Sequence, residues 1–196
     1  MRIIDISQEV LSCQVYPGDP APQGRQCKSM AEGSLYNLSQ FSMGAHNGTH
    51  IDAPSHFLQY GKTVDQLPLD AFVGNCYVVH RPGNLTAKGA QEILQKATQA
   101  GAGERILLAG EAIVTAEAAK VFAGTGIRLI GSESQSVGPI DAPMEVHLIL
   151  LGAQIVLLEG VVLKNIAEGV YFLSAVPLNF AGFEGAPCRA YLIKEP

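Results

Sequence analysis

The segment RILLAGEAIVTAEAAKVFAGTGIRLIG, residues 105–131, changes its pattern twice. Its two ends, RILLA and IRLIG, are short apolar runs typical of buried strands, and AEAAKVFA between them is rich in helix-forming residues. Thr115 is a suitable N-cap for that helix, and Gly124 is a suitable residue to end it. The segment therefore predicts a strand, a helix and a second strand, which is the unit that builds parallel sheets.

The same alternation precedes this segment. FVGNCYVVH, residues 72–80, is rich in aromatic and β-branched residues and predicts a strand. Thr86 is a suitable N-cap for a helix over residues 87–100, and Gly101 would end that helix. Strands and helices thus alternate through the middle of the chain.

The C-terminal part and the N-terminus are richer in strands. Asp141 and Pro143 predict the cap and first turn of a short helix over residues 144–151. Glycine and proline punctuate the whole sequence without gathering into a linker, which favours one domain over residues 1–196. The predicted fold class is therefore mixed α/β. Further strands are predicted at residues 2–7, 154–160, 169–178 and 188–193.

The composition and the apolar runs of the sequence argue against binding to nucleic acid and against a membrane span. The net charge of −5 is spread along the chain, and no cluster of Lys and Arg suits a phosphate backbone, so nucleic acid is not an expected partner. The longest apolar run, residues 146–163, contains Gln154 and Glu159, which favours two buried elements joined by a turn over a membrane span. Asp5 interrupts the first apolar stretch, so we predict no secretion signal and expect a cytoplasmic protein.

Three of the five histidines lie within AHNGTHIDAPSHFL, residues 45–58. The Asn-Gly pair that follows His46 is a strong turn signal, and a turn there would fold His46 back beside His50. Beyond the turn, an extended chain sends alternate side chains to one face. His50 and Asp52 would then point together while Ile51 faces the core.

These residue types in this spacing are typical of a metal site. Two imidazole nitrogens and a carboxylate form a ligand set that leaves positions open for water and substrate, as a catalytic ion requires. A lone histidine would more often decorate a polar turn, but three histidines and an aspartate favour a metal. His56 has the same parity but follows Pro54, which restricts the chain and turns it slightly away from the ion. We therefore predict that His56 is not a fourth ligand but either supports the ligands from beside them or transfers protons. An imidazole pKa of about 6.5 suits proton transfer.

The stretch HNGTHIDAPSHF, residues 46–57, resembles the H-x-G-T-H-x-D-x-P-x-H signature of the metal-dependent cyclase-like hydrolases, which include bacterial kynurenine formamidase. The similarity extends over nearly the whole chain, through IIDIS, VYPGDP, GKTVDQLPLDAFVGNCYVV and GIRLIGSESQSV to the closing PLNFAGFEGAPCRA. The resemblance implies a compact β/β/α fold, often called swivelling, and assembly into homodimers or tetramers.

The resemblance also implies roles for particular residues. His46 and His50 correspond to ligands of one zinc ion, and Asp52 to a bridge to a second. His147 and Glu159 keep the twelve-residue separation of the pair that completes the two sites, and manganese is a possible alternative metal. His56 matches the proton donor and acceptor. From the residues alone, a carboxylate ending the apolar run IVLLE is costly to bury without a cation or partner.

Three features concern the substrate pocket. Tyr16 stands at the position of the family's substrate-contacting aromatic residue, just before P-G-D, and an aromatic ring can stack on an aryl substrate. Two stretches depart from the family pattern: ESQSVG, residues 133–138, and the short connection over residues 109–115. We expect both to shape the pocket. His80 is the one histidine left without a role in the site, and we expect it to be structural.

The activity implied by the resemblance is hydrolysis of a small-molecule amide, N-formylkynurenine to kynurenine and formate, with a metal-activated hydroxide as nucleophile. One alternative is hydrolysis of a cyclic amide such as isatin, with a single manganese ion at His46, His50 and Asp52. Another is a protein that binds a metal or ligand without turnover. The number of ions and an activity screen distinguish these possibilities.

Overall fold

The strands predicted in the middle of the chain lie side by side in one sheet. Each is followed by a helix that returns the chain to the end of the sheet where the strand began, so that the next strand runs parallel to it. The computed structural model describes residues 1–194. The predicted domain boundary at residue 196 lies outside the described residues.

Within these residues the chain forms thirteen strands and three α-helices. The strands are β1 (Arg2–Asp5), β2 (Gln23–Lys28), β3 (Leu38–Ser42), β4 (His50–Asp52), β5 (Val73–His80), β6 (Gly83–Leu85), β7 (Arg105–Ala109), β8 (Ala112–Val114), β9 (Leu129–Ser132), β10 (Val156–Glu159), β11 (Gly169–Ser174), β12 (Gly185–Pro187) and β13 (Tyr191–Lys194). The helices are α1 (Ala87–Gln99), α2 (Ala116–Ala123) and α3 (Met144–Gly152).

Nine strands form the main sheet, in the order β1-β13-β11-β5-β7-β9-β10-β4-β12. The four central strands β5, β7, β9 and β10 are parallel, and the strands on either side pair antiparallel. The predicted mixed α/β class is therefore confirmed, including the parallel units built on the segment 105–131. Two small sheets, β2 with β3 and β6 with β8, lie outside the main sheet.

The main sheet has an apolar cluster on each face. Ile106 and Leu108 of β7 pack with helix residues such as Phe122, whereas Leu107 between them packs in a second cluster with residues such as Leu173. This alternation follows from the two-residue period of a strand. The three helices therefore cover one face of the central strands, and the functional side chains described below lie on that face.

Helix starts follow the predicted caps in two cases out of three. Thr86 and Thr115 accept hydrogen bonds from the backbone amides of Gly89 and Ala118, both at 3.2 Å. For α3 the predicted cap at Asp141 is wrong, because the chain already has helical backbone angles at Pro143 and no side chain caps the helix. The fixed φ of proline starts this helix instead.

Some strands differ in extent from the prediction. The predicted strand over 188–193 is divided: β13 begins at Tyr191, and Cys188 makes an isolated bridge to Pro177. The hairpin of β2 and β3 was not predicted, because its residues are exposed on both faces and carry no apolar alternation.

No helix within residues 1–194 has the length and apolar character needed to cross a membrane.

Candidate metal centre

Two neighbouring strands place three of the predicted ligands on one face of the sheet. In the antiparallel pair of β4 and β10, His50 lies opposite Glu159, and Asp52 lies opposite Leu157. Since Leu157 packs in the cluster beneath the helices, His50, Asp52 and Glu159 point to the helix side. Ile51 points the other way and is fully buried in the opposite cluster, as the alternation in the sequence predicts.

Helix α3 supplies a fourth side chain from above this face. His147 is buried, and its Nε2 atom lies 3.3 Å from Glu159 Oε1 and 3.6 Å from Asp52 Oδ2. Glu159 Oε1 also accepts a hydrogen bond of 2.7 Å from the backbone amide of Val137. The two distant segments of the sequence that carry these ligands therefore meet at one place.

The turn at Asn47 and Gly48 brings His46 to the same cluster. Gly48 has a φ of +64°, a left-handed conformation that glycine adopts without steric cost. His46 Nδ1 lies 2.8 Å from Asp52 Oδ1, and its ring centroid lies 5.1 Å from that of His50. The predicted return of His46 to the side of His50 is thus observed.

His56 lies beside this group rather than within it. It ends a short 3-10 helix, Pro54–His56, and its ring stacks on that of His46 with 4.0 Å between the centroids and an interplanar angle of 27°. No hydrogen bond within residues 1–194 uses its ring nitrogens. His56 is half-buried, and its ring nitrogens have no partner among the described residues.

Backbone carbonyls fix the nitrogen that two of the histidines present. His50 Nδ1 lies 3.0 Å from the carbonyl oxygen of Gly48, and His147 Nδ1 lies 2.8 Å from that of Pro143. Because a carbonyl oxygen only accepts, each Nδ1 donates its hydrogen. In the neutral rings the lone pairs are then on Nε2, facing Asp52 and Glu159, which is the orientation that metal-ligating histidines adopt.

The buried carboxylates attract positive charge to this place. Burial alone would lower the pKa of His147, but its close contacts with the carboxylates of Asp52 and Glu159 raise the pKa to about 10. Burial opposes the same effect at His46, where the hydrogen bond and charge of Asp52 raise the pKa to about 9. The metal-free cluster thus holds protons where a cation would lie.

The two carboxylates differ from each other. Burial would raise the pKa of Asp52, but the neighbouring imidazoles of His147, His46 and His50 hold it well below its usual value. Burial, together with the charge of Asp52, raises the pKa of Glu159. Glu159 is therefore a buried carboxylate with too little positive charge around it, a shortage that a divalent cation would supply.

The pKa of His56 moves in the opposite direction from those of His46 and His147. Burial lowers it to about 4, and the charges of His46 and His147 add to this effect although Asp52 opposes it. His56 is therefore neutral at pH 7 but a weaker base than an imidazole with the ordinary pKa of about 6.5, and proton transfer by His56 stays a prediction.

The distances between donor atoms fit a metal ion. Two donors bound at about 2.1 Å lie roughly 3.0 Å apart at a right angle and roughly 3.4 Å apart at the tetrahedral angle. The five donor–donor contacts of the cluster measure between 2.8 and 3.6 Å. In addition, Asp52 Oδ2 and His46 Nε2 are buried without a hydrogen-bond partner. The residues present can therefore hold a divalent cation.

Asp52 belongs to two groups of donors. One consists of His46, His50 and Asp52, and the other of Asp52, His147 and Glu159, and within each group the donor atoms lie within 4.8 Å of one another. A carboxylate has two oxygens, and here Oδ1 faces His46 and His50 while Oδ2 faces His147. This arrangement allows one carboxylate to bridge two ions.

Two residues singled out for the pocket make contacts within the protein. The hydroxyl of Tyr16 donates to the carbonyl oxygen of Ile140 at 2.5 Å, and its contact with a substrate stays a prediction. Glu133, in the stretch that departs from the family pattern, accepts hydrogen bonds from the backbone amides of Gly110 at 2.7 Å and Leu163 at 2.8 Å. Glu133 therefore joins two loops.

One pair of residues beside the cluster was missed from the sequence. Glu184 Oε1 lies 3.4 Å from His46 Nε2, and the adjacent Gly185 lies against the His46 ring. Both belong to the closing stretch PLNFAGFEGAPCRA, which carries the resemblance without a role for any single residue. The only local signal was an acidic residue followed by glycine, and this pattern is too common to indicate a site.

Comparison with known proteins places these features in a family. The model of the Cyclase family, described as "Putative cyclase", matches residues 4–139, which include the histidine motif but not His147 or Glu159. The chain belongs to this family of cyclase-like hydrolases. Kynurenine formamidase from Salinibacter ruber is 34% identical over 210 residues, covering all of this chain and 99% of that protein.

Solved structures share the fold over nearly the whole chain. A protein described as a potential metal-dependent hydrolase with cyclase activity is 26% identical, with a TM-score of 0.79 and coverage of 100% of this chain and 99% of that one. Isatin hydrolase A from Labrenzia aggregata, bound to benzyl benzoate, is 22% identical, with a TM-score of 0.82 and coverage of 99% and 94%. At that identity the second likeness concerns the fold alone.

Proposed function

We propose that this chain is a metal-dependent amide hydrolase that acts on aryl formamides, with N-formylkynurenine as substrate and kynurenine and formate as products. The observation that carries the proposal is the position of Asp52, shared by two donor groups, with the free imidazole of His56 beside them. The full-length similarity to a kynurenine formamidase supports the choice of substrate.

We further propose that two zinc ions bind, one at each donor group, with manganese as the alternative metal. His46, His50 and Asp52 would hold the first ion, and Asp52, His147 and Glu159 the second. Imidazole nitrogens and carboxylate oxygens suit both metals. A single ion at the first group would instead favour the cyclic-amide alternative.

We propose a separate role in the reaction for each group of residues around the ions. A bound divalent cation lowers the pKa of water and polarises a carbonyl group. His56, neutral at pH 7, would take a proton from the attacking water at an imidazole nitrogen and pass it to the departing aniline nitrogen. Gly48 and Pro143 would keep His50 and His147 in the tautomer with the hydrogen on Nδ1. We propose that the ring of Tyr16 contacts the aryl group.

Elemental analysis of the purified protein, coupled to an activity screen, tests this function. We expect two ions per chain and hydrolysis of N-formylkynurenine and formanilide, with little turnover of isatin. One ion per chain with faster turnover of isatin would favour the cyclic-amide alternative. A metal-loaded protein that hydrolyses none of these compounds would contradict the hydrolase proposal and favour a binding protein.

We also propose a cytoplasmic homo-oligomer, either a dimer or a tetramer. All residues of β2 and β3 are exposed, and the hairpin carries Phe41 and, in its loop, Leu35, which is 94% exposed. A two-stranded hairpin needs apolar packing to be stable, and a second copy of the chain would supply it. The four cysteines are unpaired, which supports a reducing compartment.

The oligomer is tested by the mass of the protein in solution. We expect Leu35→Glu with Phe41→Glu to reduce the mass to that of one chain in analytical ultracentrifugation. Gln91→Glu with Gln95→Glu, both on the exposed side of α1, adds the same two charges elsewhere and is the control. A wild-type protein that is already monomeric at micromolar concentration would contradict the proposal.

A further inference from the structure

Glu184 faces His46 from the side opposite Asp52. Its Oε1 atom lies 3.4 Å from His46 Nε2, whereas Asp52 Oδ1 lies 2.8 Å from His46 Nδ1. The imidazole is therefore held between two carboxylates, one buried and one 43% exposed. The contact with Glu184 is close enough for an ion pair but is not aligned as a hydrogen bond, and Nε2 has no other partner.

The backbone holds Glu184 in this place. Strand β12 pairs with β4, so that Gly185 lies opposite Asp52. The carbonyl oxygen of Glu184 accepts a hydrogen bond of 2.8 Å from the amide of Ala53, and that of Phe183 accepts one of 2.8 Å from Val64. The backbone is thus held by hydrogen bonds on both sides of the Glu184 Cα atom. One of these bonds goes to Ala53, which directly follows the strand that carries the ligands.

Gly185 provides the space for the His46 ring. A Cβ atom on Gly185 would lie 2.6 Å from His46 Cε1 and 3.2 Å from His46 Nδ1. The ring also stacks on His56, with 4.0 Å between the centroids. The ring therefore lies in a slot bounded by Gly185 and His56, and Asp52 and Glu184 are at its two nitrogens.

We propose that Glu184 is a positioning residue for His46: when a cation displaces the hydrogen of His46 Nδ1, the nearby Glu184 carboxylate keeps the other hydrogen on Nε2 and so leaves the Nδ1 lone pair to the first cation. This inference rests on the proposed function, because it assigns the ligand nitrogen of the same site. At His50 and His147 a backbone carbonyl binds the non-ligating nitrogen. His46 has no such carbonyl, and Glu184 takes that place. Partners of this kind typically affect metal affinity by 10- to 100-fold.

Binding of Zn²⁺ to metal-depleted protein, measured by competition with a chelator, tests the proposal. We expect Glu184→Ala to weaken the first Zn²⁺ site by about 10- to 100-fold. Glu184→Gln should lose less, because its amide oxygen still accepts from Nε2. The control is Glu117→Gln, a substitution of an exposed glutamate on α2, which should bind like wild type. Nitrogen-15 NMR of the zinc-loaded wild type should show the His46 hydrogen on Nε2.

The outcomes separate this inference from the proposed function. Wild type that binds Zn²⁺ while Glu184→Ala binds it equally well would overturn the role of Glu184 and leave the hydrolase proposal standing. Wild type that binds no divalent cation would overturn the proposed function. In that case crystal structures of the metal-free proteins still decide: a His46 ring that keeps its orientation in Glu184→Ala would overturn the positioning role.

Discussion

His50 and Glu159 lie directly opposite each other on adjacent antiparallel strands, with 3.6 Å between His50 Nε2 and Glu159 Oε2. They are 109 residues apart in the sequence. The pairing of β4 with β10 therefore brings the two ligand-bearing segments together. A shift of one residue in this register would turn one of the two side chains to the opposite face of the sheet.

Removing single ligands should remove different numbers of ions. Because Asp52 is shared, we expect Asp52→Ala to lose both ions and all turnover, whereas His147→Ala and His46→Ala should each keep one ion. The measurement is elemental analysis after dialysis against metal-free buffer. His80→Ala is the matched control, because the Nε2 of His80 lies 2.8 Å from the carbonyl oxygen of Ile166, away from the cluster. Two ions retained by Asp52→Ala would exclude a bridging aspartate.

His56→Ala should separate metal binding from turnover. His56 stacks on His46 but makes no ion-pair contact with either carboxylate, so we expect the variant to keep its metal content. Loss of the proton-transfer group should reduce kcat by about 10²- to 10⁴-fold. Steady-state kinetics on N-formylkynurenine, with metal content measured on the same sample, provides the check. Wild-type kcat in the metal-replete variant would refute the role.

Gly185→Ala should crowd both His46 and the strand that carries His50 and Asp52. Its Cβ would lie 2.6 Å from the His46 ring and 2.8 Å from the carbonyl oxygen of Ile51, so the ring and the backbone of β4 must shift, and we expect weaker metal binding in a protein that still folds. Gly126→Ala is the control, since a Cβ there has no atom within 4 Å. Chelator competition and circular dichroism measure binding and folding. Unchanged metal affinity in folded Gly185→Ala would show that the slot does not constrain His46.

Glu133→Ala should reduce stability rather than metal content. Glu133 accepts hydrogen bonds from two backbone amides, Gly110 and Leu163, in different loops. Leaving both donors without this partner should lower the free energy of unfolding by about 2 kcal/mol. Urea denaturation of the wild type and the variant measures the difference. A variant with wild-type stability but fewer ions would place Glu133 in the metal site instead.

The sequence predicted local relations well. The parity of His50, Ile51 and Asp52 and the turn before them follow from the geometry of a strand and of Asn-Gly, and the structure has both. The meeting of His147 with Glu159 could not be derived in this way, because one lies on a helix and the other on a strand, and no spacing rule relates them. That expectation came from the resemblance to the family.

Other features depend on contacts that no local pattern contains. Glu184 and Gly185 lie beside His46 because β12 pairs with β4, a pairing between segments more than 130 residues apart. The hairpin of β2 and β3 has no buried face, so the alternation that indicates a strand is absent. For Glu184 and Gly185 the tertiary arrangement, and not the propensity of the residues, determines the structure.

Cation binding should release protons near pH 7. The pKa values of His46 and His147 in the metal-free protein are raised to about 9 and about 10, so both are protonated at neutral pH. A ligating imidazole must be neutral, and we therefore expect about two protons to be released when both sites fill, and apparent affinity to rise with pH until about pH 10. Calorimetry in buffers of different ionisation enthalpy counts the protons. Titration of His147→Ala should show about one proton fewer than wild type, and release of no protons by wild type at pH 7 would contradict the assignment of these histidines as ligands.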